Sequence, residues 1–279
     1  MSLAVAVPCG IAAALAYGVA TAVQHFAAHR STGDADVGGL LRLLRDPRWL
    51  MSIGGDGVGL ILQVIALATG PVVLIQPLLV LALPVSLAVA WALGGPRPSR
   101  NDYLACLAII GGLGLFFALI GDPGPGHALS ARSAGMAAVA ALAGGAVLCA
   151  AVRGASRTVR AVVYGAVSGA WFGLVGVLMK ACAEQWFSHG LSAFRQPAGL
   201  IPLAAVLVVG ASAITLLQVS FQVGALSASF PANKSVDPLT AVVLGAILLG
   251  ERVPVGPGYL LAYVLCLAAI VLGAVQLAA

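Results

Sequence analysis

Lys234 and Asp237 interrupt a long apolar segment in the last third of the chain. Three residues apart on a helix, they share one face and can form an ion pair. A charged side chain at the centre of a bilayer costs about 2.5–3.5 kcal/mol, so it persists only where it is paired, hydrated or used. Pro231 and Pro238 flank the pair, and broken backbone at that depth is tolerated only against protein or a water-filled cavity. The segment, with Asn233 beside the lysine, is predicted to bind a substrate or coupling ion, or else to be a neutral pair that locks the helix.

One further aspartate and three glutamines are the other polar candidates. Asp56 stands among glycines, and its carboxylate suits a cation or a proton relay, or else a partner in neighbouring backbone or a nearby arginine. Gln63 and Gln218, with Gln222 one turn beyond Gln218, carry amides that either coordinate a solute or hold helices together.

Aromatic and charged side chains nearer the helix ends have two interpretations as well. Tyr17 and Trp171 are predicted either to line a pocket or to pack in the core. His25 and Lys180 are expected to extend towards the membrane interface, because long amphipathic side chains keep their charged ends in water. Glu184 is expected in the loop that follows the sixth span.

The composition indicates an integral membrane protein. The chain has 279 residues, of which 61% are hydrophobic and 8% are charged, against about 25% charged in soluble domains. Its mean hydropathy is +1.07. The net charge of +5 comes from basic residues scattered over short connectors, which excludes a nucleic-acid-binding patch. A soluble enzyme and a disordered chain are excluded as well.

Enzyme and cofactor motifs are missing from the sequence. HExxH, GxSxG and GxxxxGK[ST] do not occur, so neither enzymatic activity nor ATP-driven transport by this chain alone is expected. No cofactor is expected. The five cysteines are single and lie in or at the ends of apolar segments, so neither a disulfide framework nor a zinc site is indicated.

The apolar segments predict about nine membrane-spanning helices (nine or ten), because a span needs about 20 mostly apolar residues. The predicted spans are residues 3–28, 49–69, 71–93, 102–121, 133–152, 161–183, 199–219, 224–249 and 258–277. Most arginines fall in connectors that face the cytoplasm if the N-terminus is outside and the C-terminus inside, in a bacterial inner membrane. In the connector over residues 29–48, the leucine and arginine spacing predicts a short helix in the membrane interface.

The two halves of the chain match each other at an offset of 154–156 residues. The matching pairs are Gly10 with Gly165, Gly18 with Gly173, Gln63 with Gln218, Pro77 with Pro231 and Pro84 with Pro238. The predicted division is a first four-helix repeat over 1–121, a linking helix with its loops over 122–159 and a second repeat over 160–279. An odd linking span gives the repeats opposite topology, which is typical of secondary transporters with a site near the midplane. Val80 and Leu83 stand where the second half has Lys234 and Asp237, so the charge is concentrated in one half.

Two short motifs resemble known transporter families. Leu248-Leu249-Gly250-Glu251 resembles the close of the EamA-like repeat of the drug/metabolite transporter superfamily. Trp49, then Gly70-Pro71, then Ile75-Gln76-Pro77-Leu78 is most similar, within that superfamily, to the NIPA-type magnesium transporters. In place of the Gly-Glu and Asn of the NIPA pattern, the second helix has Leu60 and Gln63, and Asp56 stands about one turn earlier. The resemblance implies a bundle of nine or ten helices in two inverted halves.

These observations predict an all-α polytopic bundle and a secondary transporter that moves a small solute by alternating access. Asp237 would bind a proton or cation, Lys234 would tune it or hold an anionic group, and Asn233, Gln218 and Gln63 would orient the solute. The alternative within transport is a NIPA-like magnesium or divalent-cation carrier that uses Asp56 and Asp237, since Mg²⁺ keeps several waters and takes few carboxylates.

An alternative of another class is a non-transporting membrane scaffold or accessory subunit. It predicts a packed interior in which Lys234 and Asp237 are closed off from water. The expected partners are the lipid bilayer and a small-molecule or ion substrate, with no nucleic acid. Glycine-rich faces such as Gly111-Gly112 and Gly144-Gly145 suit packing within the bundle or in a homodimer.

Overall fold

The computed structural model describes residues 2–30, 47–124, 126–224 and 226–278, and within these ranges every regular element is a helix. The helices are α1 (Leu3–Arg30), α2 (Pro47–Thr69), α3 (Val72–Leu78), α4 (Ala82–Ala92), α5 (Arg100–Ile120), α6 (Ala131–Ala151), α7 (Arg157–His189), α8 (Pro197–Val223), α9 (Leu226–Leu249) and α10 (Pro257–Ala278). Short 3₁₀ turns, Leu79–Leu81 and Gly190–Arg195, follow α3 and α7.

Nine of these helical segments, among the described residues, are long and apolar enough to cross a membrane, with α3 and α4 forming one span. Large apolar side chains cover the outside of the bundle: Met51 is 75% exposed, Val139 68% and Ile247 69%. An apolar surface of this extent suits lipid rather than water. The prediction of an all-α, multi-pass membrane bundle is confirmed. The predicted interfacial helix in the first connector lies outside the described residues.

Helix α7 is the most deeply buried of the described spans. Gly165, Gly169 and Gly173 form a row on it, and a Cβ atom at any of them would collide with a backbone oxygen of α9. The oxygens belong to Ser229, Asn233 and Asp237. Small residues at such spacing let two helix backbones approach closely inside a membrane. The row therefore fixes the position of the segment of α9 that carries the charged pair.

The helices of the two halves pack in the same order. In the first half α1 packs against α2 and against the span formed by α3 and α4, and in the second half α7 packs against α8 and α9. Gly18 of α1 faces the Ala82 backbone oxygen, as Gly173 of α7 faces that of Asp237. Helices α5 and α10, the last of each half, pack against each other. An internal repeat requires this matching order of packing. The repeat and its boundaries stay a prediction.

Two local expectations are wrong. The backbone of α9 is a continuous helix through Pro231 and Pro238, whereas the break occurs in the third span, at Leu79–Leu81. Both spans carry two prolines, but the glycine row of α7 supports α9 along this stretch, and each proline removes only one helical hydrogen bond. The sixth span also extends to His189, so Glu184 lies in a helix and not in a loop.

Candidate functional site

A cavity of about 600 Å³ lies between α1, α2, the third span, α7 and α9. Its polar lining comes from Tyr17, Thr21, Gln63, Gln76, Ser86, Lys234 and Asp237. Its apolar lining includes Leu79, Val80, Leu83, Phe172, Val175 and Met179. A largely apolar concavity with a few convergent polar groups is the usual form of a small-molecule site. We call this space the central cavity.

Lys234 and Asp237 both line the central cavity from α9. Each residue is partly exposed, so the pair borders the open volume and is not sealed in the core. Their spacing of three residues puts both on the cavity face of one continuous helix. The helix carries them into contact with the cavity because the glycine row of α7 holds α9 close. A solute in the cavity would meet one positive and one negative group.

Tyr17 and Gln63 meet across two helices at the cavity wall. The Tyr17 hydroxyl, on α1, donates a hydrogen bond of 2.8 Å to Oε1 of Gln63, on α2. Both residues line the central cavity, and Gln63 is only 8% exposed. The bond fixes the orientation of the Gln63 amide, which then presents a defined pattern of donors to a solute.

Gln76 is a cavity residue that sequence reasoning did not single out. It lies on the short helix α3, is buried, and crosses to α7, where a Cβ on Gly176 would collide with its amide. The signal was present, since Gln76 is a polar side chain in the middle of an apolar span. Thr21 and Ser86 line the cavity too and were not predicted.

Two of the predicted polar residues lie outside the lining of the cavity. Asp56 accepts a hydrogen bond of 2.5 Å from the Gln24 amide, which joins α2 to α1. Asn233 is fully buried, and its Nδ2 donates to Ser168 Oγ at 3.1 Å. That hydroxyl in turn donates to the Ala213 carbonyl at 2.8 Å. Both residues connect helices in this structure, and their predicted roles towards a solute stay predictions.

Trp171 and the two glutamines of α8 also lie away from the central cavity. The Trp171 indole donates a hydrogen bond of 2.9 Å to the Ala141 carbonyl and lines a separate apolar groove of about 460 Å³ between α6, α7 and α9. Gln218 and Gln222 are exposed on α8. Of the predicted site residues, the structure thus brings Tyr17 and Gln63 together with the α9 pair, and leaves the others elsewhere.

A second charged cluster lies at the turn between α2 and α3. Lys180 is fully buried, and its Nζ donates to the Gly70 carbonyl at 2.6 Å and to the Leu67 carbonyl at 3.4 Å. The same nitrogen is 3.7 Å from Oε1 of Glu251 and 3.5 Å from Oε1 of Glu184. The expectation that Lys180 extends to the interface is wrong, because carbonyls freed by the end of α2 and two carboxylates offer it partners inside the bundle. The side chain of His25 lies outside the described part of the chain.

Glu251 binds the start of α3 from the opposite half of the chain. Its Oε1 and Oε2 accept hydrogen bonds of 2.8 Å each from the backbone N–H groups of Val72 and Val73. A carboxylate is favoured at this position because the first N–H groups of a helix have no partner within it. Burial raises the pKa of the Glu251 carboxyl, although these hydrogen bonds and Lys180 act in the other direction. We call Lys180, Glu184, Glu251 and the α2–α3 turn the junction.

The described residues contain no group of three or more His, Cys, Asp or Glu side chains placed to hold a metal ion. A dication in the central cavity would meet the Asp237 carboxylate together with the Lys234 ammonium. Asp56, the second carboxylate of the divalent-cation hypothesis, is bound to Gln24 and is not among the residues that line that space.

Comparison with known proteins finds a relative that matches most of the chain. The chain is 29% identical, over 250 residues, to an uncharacterized protein of Corynebacterium glutamicum. The alignment covers 87% of this chain and 83% of the relative. No family model matches the chain, and no solved structure matches it. The similarity therefore extends over most of both chains. Any proposal about function has to be argued from the geometry of the bundle.

Proposed function

We propose that this multi-pass membrane protein is a secondary transporter of a small solute, with its binding site in the central cavity. The observation that carries the proposal is that Lys234 and Asp237, the costliest residues of the eighth span, border an open volume of about 600 Å³. Intramembrane charges that face such a volume mark substrate or ion pathways. A scaffold without transport needs no cavity at its charged residues.

The lining of the central cavity supports a role for each polar residue. Asp237 binds a proton, a cation or the positive group of a solute, and Lys234 binds an anionic group. The amides of Gln63 and Gln76 donate or accept hydrogen bonds, and Tyr17 holds Gln63 in place. Phe172 and the neighbouring apolar side chains contact the hydrocarbon part of the solute. Motion of the two inverted halves about this site would expose it to each side in turn.

The break in the third span is a suitable place for that motion. Non-helical backbone at membrane depth is tolerated where it lines a cavity, and Leu79 and Val80 of the 3₁₀ turn do line it. Helix α9, which carries the charges, is continuous and backed by α7. We propose that the broken span moves against the continuous one.

The divalent-cation alternative receives less support from this geometry. Lys234 places a positive charge where a dication would bind beside Asp237, and Asp56 lies outside the cavity lining. It is kept as an outcome of the test, because Mg²⁺ entry is simple to measure.

The experiment uses the purified protein in proteoliposomes with an imposed pH gradient. Uptake of radiolabelled amino acids, organic cations and organic acids is measured in one arm, and Mg²⁺ entry with a trapped indicator dye in the other. Asp237→Asn is the test variant. Asp56→Asn is the matched control, because it makes the same chemical change in the membrane outside the cavity lining.

We expect solute uptake that Asp237→Asn lowers about tenfold or more, equivalent to at least about 1.4 kcal/mol, and that Asp56→Asn leaves within about twofold. Mg²⁺ entry abolished by both substitutions would replace the proposal with the divalent-cation carrier. Folded protein that moves none of the probes, or normal uptake by Asp237→Asn, would contradict it.

A further inference from the structure

The junction lies directly beyond the central cavity on two helices. On α7, Met179 lines the cavity and the next residue, Lys180, belongs to the junction. On α3, Gln76 lines the cavity, and Val73, one turn earlier, is bound by Glu251. The junction therefore occupies the space between the cavity and the end of the bundle that contains the α2–α3 turn. We call this the Gly70 end.

The junction is a thin and fully paired layer. The side chains of Lys180 and Glu251 have no exposed surface, whereas that of Glu184, one turn further along α7, is 27% exposed. The contacts join residues about 110 and 180 positions apart in the chain. Separating α7 from the start of α3 would break the contacts of Lys180 with Gly70 and with Glu251.

The opposite end of the bundle lacks this chemistry at the corresponding residue. At the predicted repeat offset, Gly95 stands where the second half has Glu251. Gly95 donates its backbone N–H to the Ala90 carbonyl and has no side chain to reach another span. Within the described residues, the buried lysine–glutamate pair at the Gly70 end thus has no counterpart at Gly95.

We infer that Lys180 and Glu251 form a gate that closes the central cavity at the Gly70 end, and that a proton bound by Glu251 opens it. The inference rests on the proposed transport function, to which it adds the coupling ion and the place where it acts. The proton neutralises the carboxylate, which loses its charge attraction for Lys180 and for the N-terminus of α3 but keeps an oxygen that can accept a hydrogen bond from α3. Lys180 keeps the Gly70 and Leu67 carbonyls, but the carboxylate charge that still attracts it is that of Glu184, which is partly exposed and draws it outwards.

The charged groups around Glu251 fit this role. Helix α7 contributes Lys180 and Glu184, and α2 and α3 contribute only backbone groups. The connector between α5 and α6 contributes His127, whose ring lies against Gly250, and Arg252 follows in the chain with an exposed side chain. Because burial raises the pKa of Glu251, the carboxyl takes up its proton at a higher pH than an ordinary glutamate.

Cysteine accessibility tests the gate without any substrate. The five native cysteines are replaced by alanine, and Val175→Cys places a thiol in the central cavity. A membrane-impermeant maleimide is applied to intact cells and to inverted membrane vesicles, at about pH 8 and at about pH 6, the lower value favouring the protonated carboxyl. Leu191→Cys, at the same end as the gate and 74% exposed, corrects for the effect of pH on thiol reactivity.

We expect little labelling of Val175→Cys from the Gly70 end at the higher pH, and a rise of about tenfold relative to Leu191→Cys at the lower pH. Glu251→Gln keeps one oxygen that can accept from α3 but carries no charge, so labelling should be high at both pH values. Lys180→Gln should also raise it.

Labelling that changes neither with pH nor with Glu251→Gln, in protein that elutes as a folded species, would overturn the gate. If Glu251→Gln does not fold, the gate is tested by the pH dependence of Val175→Cys labelling in the protein that retains Glu251. Failure of the proposed transport gives a different result, namely a gate that responds to pH in a protein that moves no solute. Uptake with a gate that does not respond would refute only the inference.

Discussion

The molecule contains two lysine–carboxylate sites that the sequence does not distinguish by type. Lys234 and Asp237 lie three residues apart on one helix and border an open cavity. Lys180 and Glu251 are 71 positions apart, have no exposed side-chain surface, and join two helix ends through backbone hydrogen bonds. The first site borders a volume that a solute could enter, whereas the second joins three elements of the fold.

The difference follows from what each charge meets in the fold. Breaking a buried, hydrogen-bonded pair by removing one partner leaves an uncompensated charge, and this is strongly destabilising. A pair that borders an open volume is not enclosed by protein on that side, so the loss of one partner is expected to cost less. Stability should therefore depend on the junction, whereas transport should depend on the cavity pair.

The largest effect is expected for Lys180→Met. This change leaves the Glu251 carboxylate buried without its cation and leaves the Gly70 carbonyl without its donor. We expect the free energy of unfolding to fall by about 3–5 kcal/mol, measured by chemical unfolding in detergent micelles. Arg252→Met, which removes an exposed positive charge beside Glu251, is the control and should change it by less than about 0.5 kcal/mol. Equal effects of the two would remove the distinction between the junction and the surface.

A smaller loss is expected for Gly169→Ala. The added methyl group would collide with the Asn233 backbone oxygen and push α9 away from α7. Overpacking of this kind costs about 1–3 kcal/mol, again measured by unfolding in micelles. Gly144→Ala is the matched control, because a Cβ there meets no atom within 4 Å, and alanine favours a helix by up to about 1 kcal/mol. A neutral Gly169→Ala would show that the glycine row does not position the charged pair.

The cavity pair should contribute little to stability. Asp237→Asn is expected to change the free energy of unfolding by less than about 1 kcal/mol, because the carboxylate borders an open volume. The same variant is expected to lose solute uptake. A loss of stability as large as that of Lys180→Met would make Asp237 a structural residue and end the contrast between the two sites.

The smallest effect on transport is expected for Tyr17→Phe. It removes the hydroxyl that donates to Gln63 and leaves the ring in place. The expected loss is about 0.5–1.5 kcal/mol of stability, with a weaker apparent affinity for the solute, read from uptake at several concentrations. Tyr103→Phe, at a side chain that is 55% exposed, should leave both quantities unchanged. An unchanged affinity in Tyr17→Phe would separate the Gln63 amide from solute binding.

Much of the cavity could be predicted from residue type and spacing. A charge in a long apolar segment is costly wherever the segment is folded, so Lys234 and Asp237 were identifiable without tertiary information. Tyr17 and Gln63 were candidates on other grounds, and in each case packing between helices was the alternative. The sequence could not show that Trp171, Gln218 and Gln222 lie outside the cavity, because the face of a helix that meets the cavity depends on the neighbouring helices.

The junction could not be predicted from residue type and spacing. Lys180 lies near a helix end, where an exposed head group is the general rule, and Glu251 follows the end of α9 in a connector. Their partners are Gly70, Val72 and Val73, far away in the chain. No local pattern indicates that the backbone groups of the α2–α3 turn lie within reach of both side chains.

The sequence by itself determined that this chain spans a membrane as a helical bundle, and where its spans lie. Hydrophobic length and the cost of unpaired backbone in lipid leave few alternatives. Only the tertiary structure decided which charges border a cavity and which are buried at the junction. Helix α7 positions both sites. Its glycine row brings α9 and the charged pair to the cavity. Lys180, one turn beyond Gly176 on the same helix, joins Glu251 to the turn before α3. Burial and partner geometry assign the roles, and both arise from contacts between distant parts of the chain.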